Sequence, residues 1–228
     1  MTPVRIGCVV EGHGEVSALP VLLRRLASSV DPPTVVAADK PVRVHRDQFL
    51  NGTKAEEHLR IASLRAGAGG GLLVLLDADE DCAKTVGDAA RGLADCVAYA
   101  HPVVAHCPVR EYESWFLAAA ESLRGCRGLP DDLELPGDPE AVRDAKGWLT
   151  RNTPRGAIYK EVEDQPAFSA EFCMQLAYLR SPSFRRFCRA FVALLRDLGW
   201  AGAAPWEPEA GLVWQGPIYP HPKMTADR

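Results

Sequence analysis

Apolar residues along the first half of the chain follow two different spacings. Residues 4–10 (VRIGCVV) and 72–76 (LLVLL) are short, mainly apolar runs, which are typical of strands buried in a parallel sheet. The leucines of residues 19–26 recur at the three- and four-residue spacing of a helix, with Ser17 as its expected N-cap. Weaker patterns predict an edge strand over 41–46, a strand over 101–107, and helices over 54–65, 84–97 and 112–123.

The order of these elements predicts the fold class. Strands and helices alternate up to residue 123, which favours an α/β domain with a mostly parallel sheet and helices on both faces. The later apolar patterns are helical and cover residues 140–150, 170–180 and 183–198. We therefore expect an α/β domain over 1–123, a small α-rich subdomain over 124–199, and an extended Trp- and Pro-rich tail over 200–228 that packs back on the body.

Composition and charge restrict the classes of function. The chain has 228 residues, of which 25% are charged, and a net charge of −4, so it lacks the broad positive field of a strong DNA binder. Nucleic acid would have to be held by local patches and bridging cations. The seven cysteines show no zinc-type spacing, which favours reduced thiols. With no secretory signal pattern and no apolar run of membrane length, we expect a cytoplasmic protein.

Carboxylates directly follow the two strongest strand patterns. Glu11 lies in VEGHGE after the first run, and Asp77 and Asp79 lie in DADED after the second. Ligands of open parallel sheets bind outside the carboxyl ends of the strands, so these acids meet if the two strands are neighbours. Clustered acids repel each other, and a hard cation such as Mg²⁺ or Mn²⁺ relieves that repulsion. Taken singly, each acid also fits an ordinary turn or helix cap.

The glycines of VEGHGE allow a second interpretation. Gly12 and Gly14 begin a dinucleotide-binding fingerprint between a strand and a helix. The third glycine position holds Ser17, however, and Glu11 would place a negative charge beside a pyrophosphate. No GxxxxGK[ST] motif occurs in the sequence. Nucleotide binding is therefore the weaker interpretation.

Several other residues are candidates for the same site. Glu111 and Glu113 follow the third strand, and Glu15 begins the first helix, so each could hold a second metal ion or simply favour a helix N-terminus. His13 could donate a proton to a leaving oxygen or be a solvated loop residue. A nucleic-acid backbone could be held by the arginines at the start of the last helix, which otherwise form a solvated face: Arg180, Arg185, Arg186 and Arg189.

These motifs resemble a known group of domains. A strand ending in EG and another ending in DxD resemble the Toprim domain of topoisomerases, DnaG-type primases and overcoming-lysogenization-defect nucleases. VEGHGE, LLDADED, REYESWFLAA and RSPSFRRF together resemble a bacterial Toprim-like family, domain of unknown function 4276. The resemblance implies that Glu11 acts in acid/base work or helps to hold metal, and that Asp77 and Asp79 bind it. Lys146 and Lys160 belong to the wider pattern and could contact phosphate.

The resemblance also orders the alternatives for function. No segment resembles the domain that supplies the catalytic tyrosine of topoisomerases, so the nuclease branch is the nearest analogue. We therefore expect Mg²⁺- or Mn²⁺-dependent hydrolysis of nucleic-acid phosphodiesters, in a phage-defence setting, with Glu11, Asp77 and Asp79 as catalytic residues. The alternatives are a non-catalytic Toprim-like module that binds a partner such as a separate ATPase subunit, and a hydrolase of small phosphoesters.

Overall fold

A five-stranded parallel sheet forms the centre of the fold. The computed structural model describes residues 2–97, 101–154 and 157–206. The strands are β1 Val4–Val10, β2 Val36–Ala37, β3 Val42–Arg43, β4 Gly71–Leu75 and β5 Val103–His106. They are ordered β2-β1-β4-β5, with β3 also pairing with β1. The predicted α/β class with a parallel sheet is confirmed.

Nine α-helices lie within the described part of the chain. They are α1 Glu15–Ser29, α2 Arg46–Leu50, α3 Ala55–Ala66, α4 Ala83–Val97, α5 Ser114–Leu117, α6 Ala145–Arg151, α7 Glu161–Glu171, α8 Met174–Arg180 and α9 Pro182–Asp197. Short 3₁₀ turns cover Ala120–Leu123 and Cys126–Gly128. The predicted strands at 4–10 and 72–76 and the predicted helices at 54–65, 84–97 and 183–198 therefore exist with nearly the expected bounds.

The two faces of the sheet support separate cores. Alternate strand residues point to opposite faces, so Ile6 joins one core while Val9 joins the other. One core lies beneath α3 and α4. The other combines α1 with α5 and the C-terminal helices, where Phe168 and Phe184 are fully buried. The C-terminal helices thus pack on the same face as α1, which places them close to the ends of β1 and β4.

Several elements differ from the predictions for local reasons. Helix α1 begins at Glu15 with Gly14 as its N-cap, so the expected cap at Ser17 is wrong. The predicted helix over 112–123 is divided into α5 and a 3₁₀ turn. The predicted helix over 170–180 is interrupted before α8, where the backbone N–H of Cys173 donates instead to Ser122 Oγ (2.8 Å). Helix α6 begins at Ala145, after the cap formed by Asp144, and not at residue 140 as predicted. Helix α7 was not predicted.

The start of the predicted tail contacts the body of the protein. Trp200 donates its indole N–H to the carbonyl of Pro32, and the ring of Trp206 lies 5.7 Å from that of Tyr178. The rest of the tail, with Trp214, lies outside the described residues. None of the described helices combines the length and the apolar character that crossing a membrane requires.

Candidate active site at the carboxyl ends of the strands

The pairing of β1 with β4 brings Glu11 and Asp77 together. Val10 lies opposite Leu75, so the residues that follow these strands emerge at the same edge of the sheet. The backbone N–H of Asp77 donates to Glu11 Oε2 over 3.2 Å, and Asp77 Oδ1 accepts the N–H of Tyr112 over 3.0 Å. Asp77 is buried and Glu11 is half-buried.

The second acid of the DxD pair belongs to a different group. Asp79 has a left-handed φ of 49°, and its carboxylate is exposed 3.2 Å from Arg46, which also binds Asp81 over 3.0 Å. Glu80 binds Arg110 over 3.0 Å. We call Asp79, Glu80 and Asp81 the outer acids. Each of them faces an arginine.

Two acids that the sequence offered only as secondary candidates are fully buried beside Asp77. Glu15 Oε2 accepts the backbone N–H groups of Glu11 and Gly12, each over 3.1 Å. Glu113 Oε1 accepts a hydrogen bond from the hydroxyl of Tyr159 over 2.9 Å. The side-chain amide of Gln165 donates to the same oxygen. The other oxygen, Glu113 Oε2, is buried without a hydrogen bond. We call Glu15, Asp77 and Glu113 the inner acids.

The inner acids repel one another in a poorly solvated space. Burial raises the pKa of Glu15 to about 8, and the negative charge of Glu113 adds to this effect. Burial likewise raises the pKa of Glu113 to about 7 and that of Asp77 well above its ordinary value. Burial and then the charge of Asp79 raise the pKa of Glu11. The inner acids therefore bind protons more readily than ordinary carboxylates unless a cation joins them.

Lys146 is the lysine that faces this group. Its Nζ lies 3.9 Å from Glu113 Oε2 and 3.9 Å from Glu161 Oε2. Burial disfavours its charge, but the surrounding acids outweigh burial and raise the pKa of Lys146. The carboxylate of Glu111 accepts the N–H groups of Ala145 and Lys146, so it caps α6 and fixes the start of this helix.

The glycines of VEGHGE are required by the close approach of α7. A Cβ on Gly14 would lie 2.2 Å from Gln165 Oε1 and 2.6 Å from the carbonyl oxygen of Glu161. The backbone N–H of Gly14 donates to Glu161 Oε1 over 3.0 Å. These contacts give the glycines a steric explanation that involves no phosphate. They also bring α7 to the site, and sequence reasoning missed its residues because polar side chains buried by tertiary contact leave no periodic pattern.

The remaining candidates lie at the surface. His13 is exposed at the tip of its loop, and Lys160 is exposed beside Glu163. Among the four arginines, Arg180 binds Glu121 over 2.6 Å and Arg185 lies over the ring of Tyr178. Arg186 and Arg189 are exposed on α9.

The donors suit a hard cation, although they do not yet surround one. Within residues 2–97, 101–154 and 157–206, no three His, Cys, Asp or Glu side chains are placed to hold a metal ion together. The inner acids nevertheless supply only oxygen donors, and Glu113 Oε2 is a buried acceptor without a hydrogen bond. A bound Mg²⁺ or Mn²⁺ would therefore require these side chains to turn toward one another.

Comparisons with known proteins give one match. No curated protein and no solved structure matches the chain. A family model described as "Domain of unknown function (DUF4276)" matches residues 10–191, which include both strand-end motifs and all the inner acids. Because this match covers most of the 228 residues, the chain belongs to the DUF4276 family.

Proposed function

We propose that this protein hydrolyses phosphodiester bonds of nucleic acid with the help of Mg²⁺ or Mn²⁺. The observation that carries the proposal is the group of four carboxylates beyond the carboxyl ends of β1, β4 and β5, formed by Glu11 and the inner acids. Burying this much negative charge is costly unless a cation or protons compensate it. Strongly perturbed acids that converge at the end of a parallel sheet are a common feature of functional sites.

Each acid has a role that follows from its surroundings. Asp77, Glu15 and Glu113 are buried and would hold the ion, which would neutralise the charge developing on the phosphate. Glu11 is half-buried and keeps contact with solvent, so it is suited to exchange a proton with water or with a leaving oxygen. Its orientation is held by the N–H of Asp77. Asp79 is held by Arg46 and would act at longer range, through the charge that it adds near Glu11.

The arginines of α9 support nucleic acid over a small phosphoester as the substrate. Arg186 and Arg189 are exposed near the start of a helix that packs against β5, and Lys84 lies across the groove beside Arg186. Such side chains contact phosphates without reading the base sequence. We therefore propose a nuclease whose side chains bind the phosphate backbone of the nucleic acid.

The direct test measures cleavage of plasmid, linear duplex and single-stranded DNA with Mn²⁺. The wild-type protein should cleave at least one of these substrates, and Asp77→Ala should reduce the rate to background. Glu57→Ala is a matched control, because Glu57 is an exposed acid of α3 that pairs with Lys54. Equal rates for wild type and Asp77→Ala, or no cleavage of any substrate, would contradict the proposal and favour a partner-binding module.

A further inference from the structure

The two exposed cysteines of the protein lie at opposite ends of helix α4. All seven cysteines belong to the described part of the chain, and Cys82 and Cys96 are the exposed ones. The carbonyl of Cys82 accepts the N–H of Val86, so Cys82 begins the helix, whereas Cys96 lies in its last turn. A thiolate is favoured at the N-terminus of a helix and disfavoured at its C-terminus. Cys82 therefore has the position of a reactive thiol, and Cys96 does not.

The groups around Cys82 strengthen this difference. Hydrogen bonding to the backbone N–H and then to the hydroxyl of Thr85 lowers the pKa of the Cys82 thiol, and the N–H and the charge of Lys84 add to the effect. The preceding acid, Asp81, is bound to Arg46, so its negative charge is already paired. At neutral pH a larger fraction of Cys82 is therefore thiolate, the nucleophilic form, than at an ordinary cysteine.

Cys82 lines a groove that suits a small anionic molecule. The groove has a volume of about 740 Å³ and lies between α4 and α9, along β5. We call it the α4–α9 groove. Its size is within the range of small-molecule sites. Lys84 and Arg91 line it but pair with acids, whereas Arg186 is exposed there and forms no ion pair with a described residue. Arg186 can therefore bind a carboxylate of a molecule in the groove.

A buried histidine indicates a further polar contact in the same groove. His106 lines the groove and is only 9% exposed, and its Nε2 is buried without a hydrogen bond to a described residue. Burial and then the charge of Arg186 lower the pKa of His106 to about 3, so the ring is neutral. Buried polar atoms are normally paired, and a neutral imidazole nitrogen pairs well with an amide or a hydroxyl group. The groove thus combines a thiol with a cation for a carboxylate and a nitrogen for an amide.

We propose that Cys82 is a modification site, at which a small disulfide that carries carboxylates and amides forms a mixed disulfide within the α4–α9 groove. The thiolate sulfur of Cys82 attacks one sulfur of the disulfide, so a new S–S bond forms as the old one breaks. The other half leaves as a thiolate and takes a proton from water. One disulfide is exchanged for another, so the step requires no further oxidant. The inference does not rest on the proposed function, in which Cys82 has no role.

The test follows the reaction of the full chain with glutathione disulfide at pH 7, with mass spectrometry of peptides to locate the adduct. Cys82 should react about tenfold faster than Cys96, because its larger thiolate fraction outweighs the lower nucleophilicity of a more acidic thiol. Cystamine is the probe of opposite charge, since its halves carry ammonium groups. Arg186→Ala should slow the reaction of Cys82 with glutathione disulfide about threefold and should not slow its reaction with cystamine.

Arg60→Ala is the matched control, because Arg60 is an exposed arginine of α3 that does not line the groove. It should leave both rates unchanged, and Cys82→Ser should remove the adduct. Equal rates at Cys82 and Cys96, or the absence of any adduct, would overturn the proposal. So would an equal effect of Arg186→Ala on the two probes, because the groove would then not select an anionic molecule.

Discussion

The inner acids and the outer acids lie close together in the fold but are compensated in different ways. Asp79 and Asp81 have side chains that are 53% and 62% exposed, and both bind the guanidinium of Arg46. Glu113 is fully buried and has a lysine at 3.9 Å as its charged neighbour. Asp77 is two residues from Asp79, yet its carboxylate accepts a backbone N–H and faces other acids.

The difference shows where negative charge is retained at a cost. Ion pairs between exposed acids and arginines need little desolvation, and they contribute little to the free energy of unfolding. Buried carboxylates that repel one another lower it, so their presence requires either protons or a cation. The outer acids are thus already neutralised in the free protein, whereas the inner acids would receive a positive ion under the proposed function. This distinction predicts different responses to matched substitutions.

The largest expected difference is between Asp77→Asn and Asp79→Asn. Millimolar Mn²⁺ should raise the melting temperature of the wild-type protein, because it binds the folded state only. Asp77→Asn should abolish this increase, since it removes an inner carboxylate, and should lower cleavage to background. Asp79→Asn should keep most of the increase, because Arg46 already neutralises that carboxylate. Differential scanning fluorimetry with and without Mn²⁺ measures both variants.

Equal loss of the Mn²⁺ response in the two variants would contradict the distinction. It would show that Asp79 leaves Arg46 and binds the ion, as the resemblance to Toprim domains implies. An equal increase in both variants would show that the cation binds elsewhere on the protein.

The next largest effect concerns the contact between α7 and the glycine loop. Gly14→Ala should lower the free energy of unfolding by about 1–3 kcal/mol, because its Cβ would collide with Gln165 and with the backbone of Glu161. Gly14 has an ordinary φ of −68°, so the cost arises from the collision and not from the backbone conformation. Urea denaturation measures the change.

Gly87→Ala provides the control within α4. A Cβ there would meet no atom within 4 Å, so this change should raise the free energy of unfolding by about 0.5–1 kcal/mol. A Gly14→Ala protein as stable as the wild type would show that α7 does not hold the loop as closely as the structure has it.

The pH dependence of stability is a smaller and more specific effect. Burial raises the pKa of Glu113 to about 7 and that of Glu15 to about 8, from an ordinary value of 4.5. These two acids therefore hold more protons in the folded state than in the unfolded state between about pH 4.5 and 8, so their contribution to the free energy of unfolding should fall as pH rises through this range. Buried His106, whose pKa is lowered to about 3, acts in the opposite direction below about pH 6.5, and Glu113→Gln isolates the acid's share. The raised pKa of Lys146 acts only above its ordinary value of 10.5, so it adds no slope here.

Denaturation of the metal-free protein at pH 5, 6, 7 and 8 measures this slope. Glu113→Gln should flatten it, because the amide cannot ionise, whereas the change Asp88→Asn on the surface should leave it in place. A slope that is the same with and without the Glu113 carboxylate would show that this group is solvated in the free protein.

Sequence alone predicts the strands that carry the site better than the side-chain contacts within it. The apolar runs at 4–10 and 72–76 identify two buried parallel strands, whose ends meet at one edge if the strands are neighbours, and the structure shows that they are. That rule is enough to bring Glu11 and Asp77 together. It does not separate Asp77 from Asp79, because the left-handed turn at Asp79 and its arginine partner depend on α2, which has no sequence pattern of its own.

The C-terminal contribution was out of reach for a related reason. Lys146 of α6 and Gln165 of α7 both reach Glu113, and α7 folds back over the glycine loop, so these are contacts between residues far apart in the chain. Helix α7 carries Pro166 and several acids, so its apolar positions do not form a clear stripe. Gly12 and Gly14 are a sequence signal of this contact, but they also begin a phosphate-loop pattern, and Lys146 is indicated only by the family resemblance.

The arginines Arg180 and Arg186 offer a similar contrast between a paired and an exposed charge, with the smallest expected effect. Arg180 is bound to Glu121, whereas Arg186 is exposed beside the groove between α4 and α9. If α9 binds a phosphate backbone, Arg186→Ala should weaken duplex binding a few-fold and lower the salt dependence by about one phosphate contact. Arg180→Ala should change both quantities less, because Glu121 already competes for that guanidinium.

Fluorescence anisotropy of a labelled duplex across a salt series measures both variants, with Ca²⁺ in place of Mn²⁺ to prevent turnover. The loss should be the same for unrelated sequences, since backbone contacts do not read bases. Equal effects of the two substitutions would mean that Arg180 leaves Glu121 on binding, so that pairing in the free protein does not decide which arginines hold phosphate. Absence of binding even at low salt would remove nucleic acid as the substrate of the isolated chain, because attraction between phosphates and exposed arginines is strongest there.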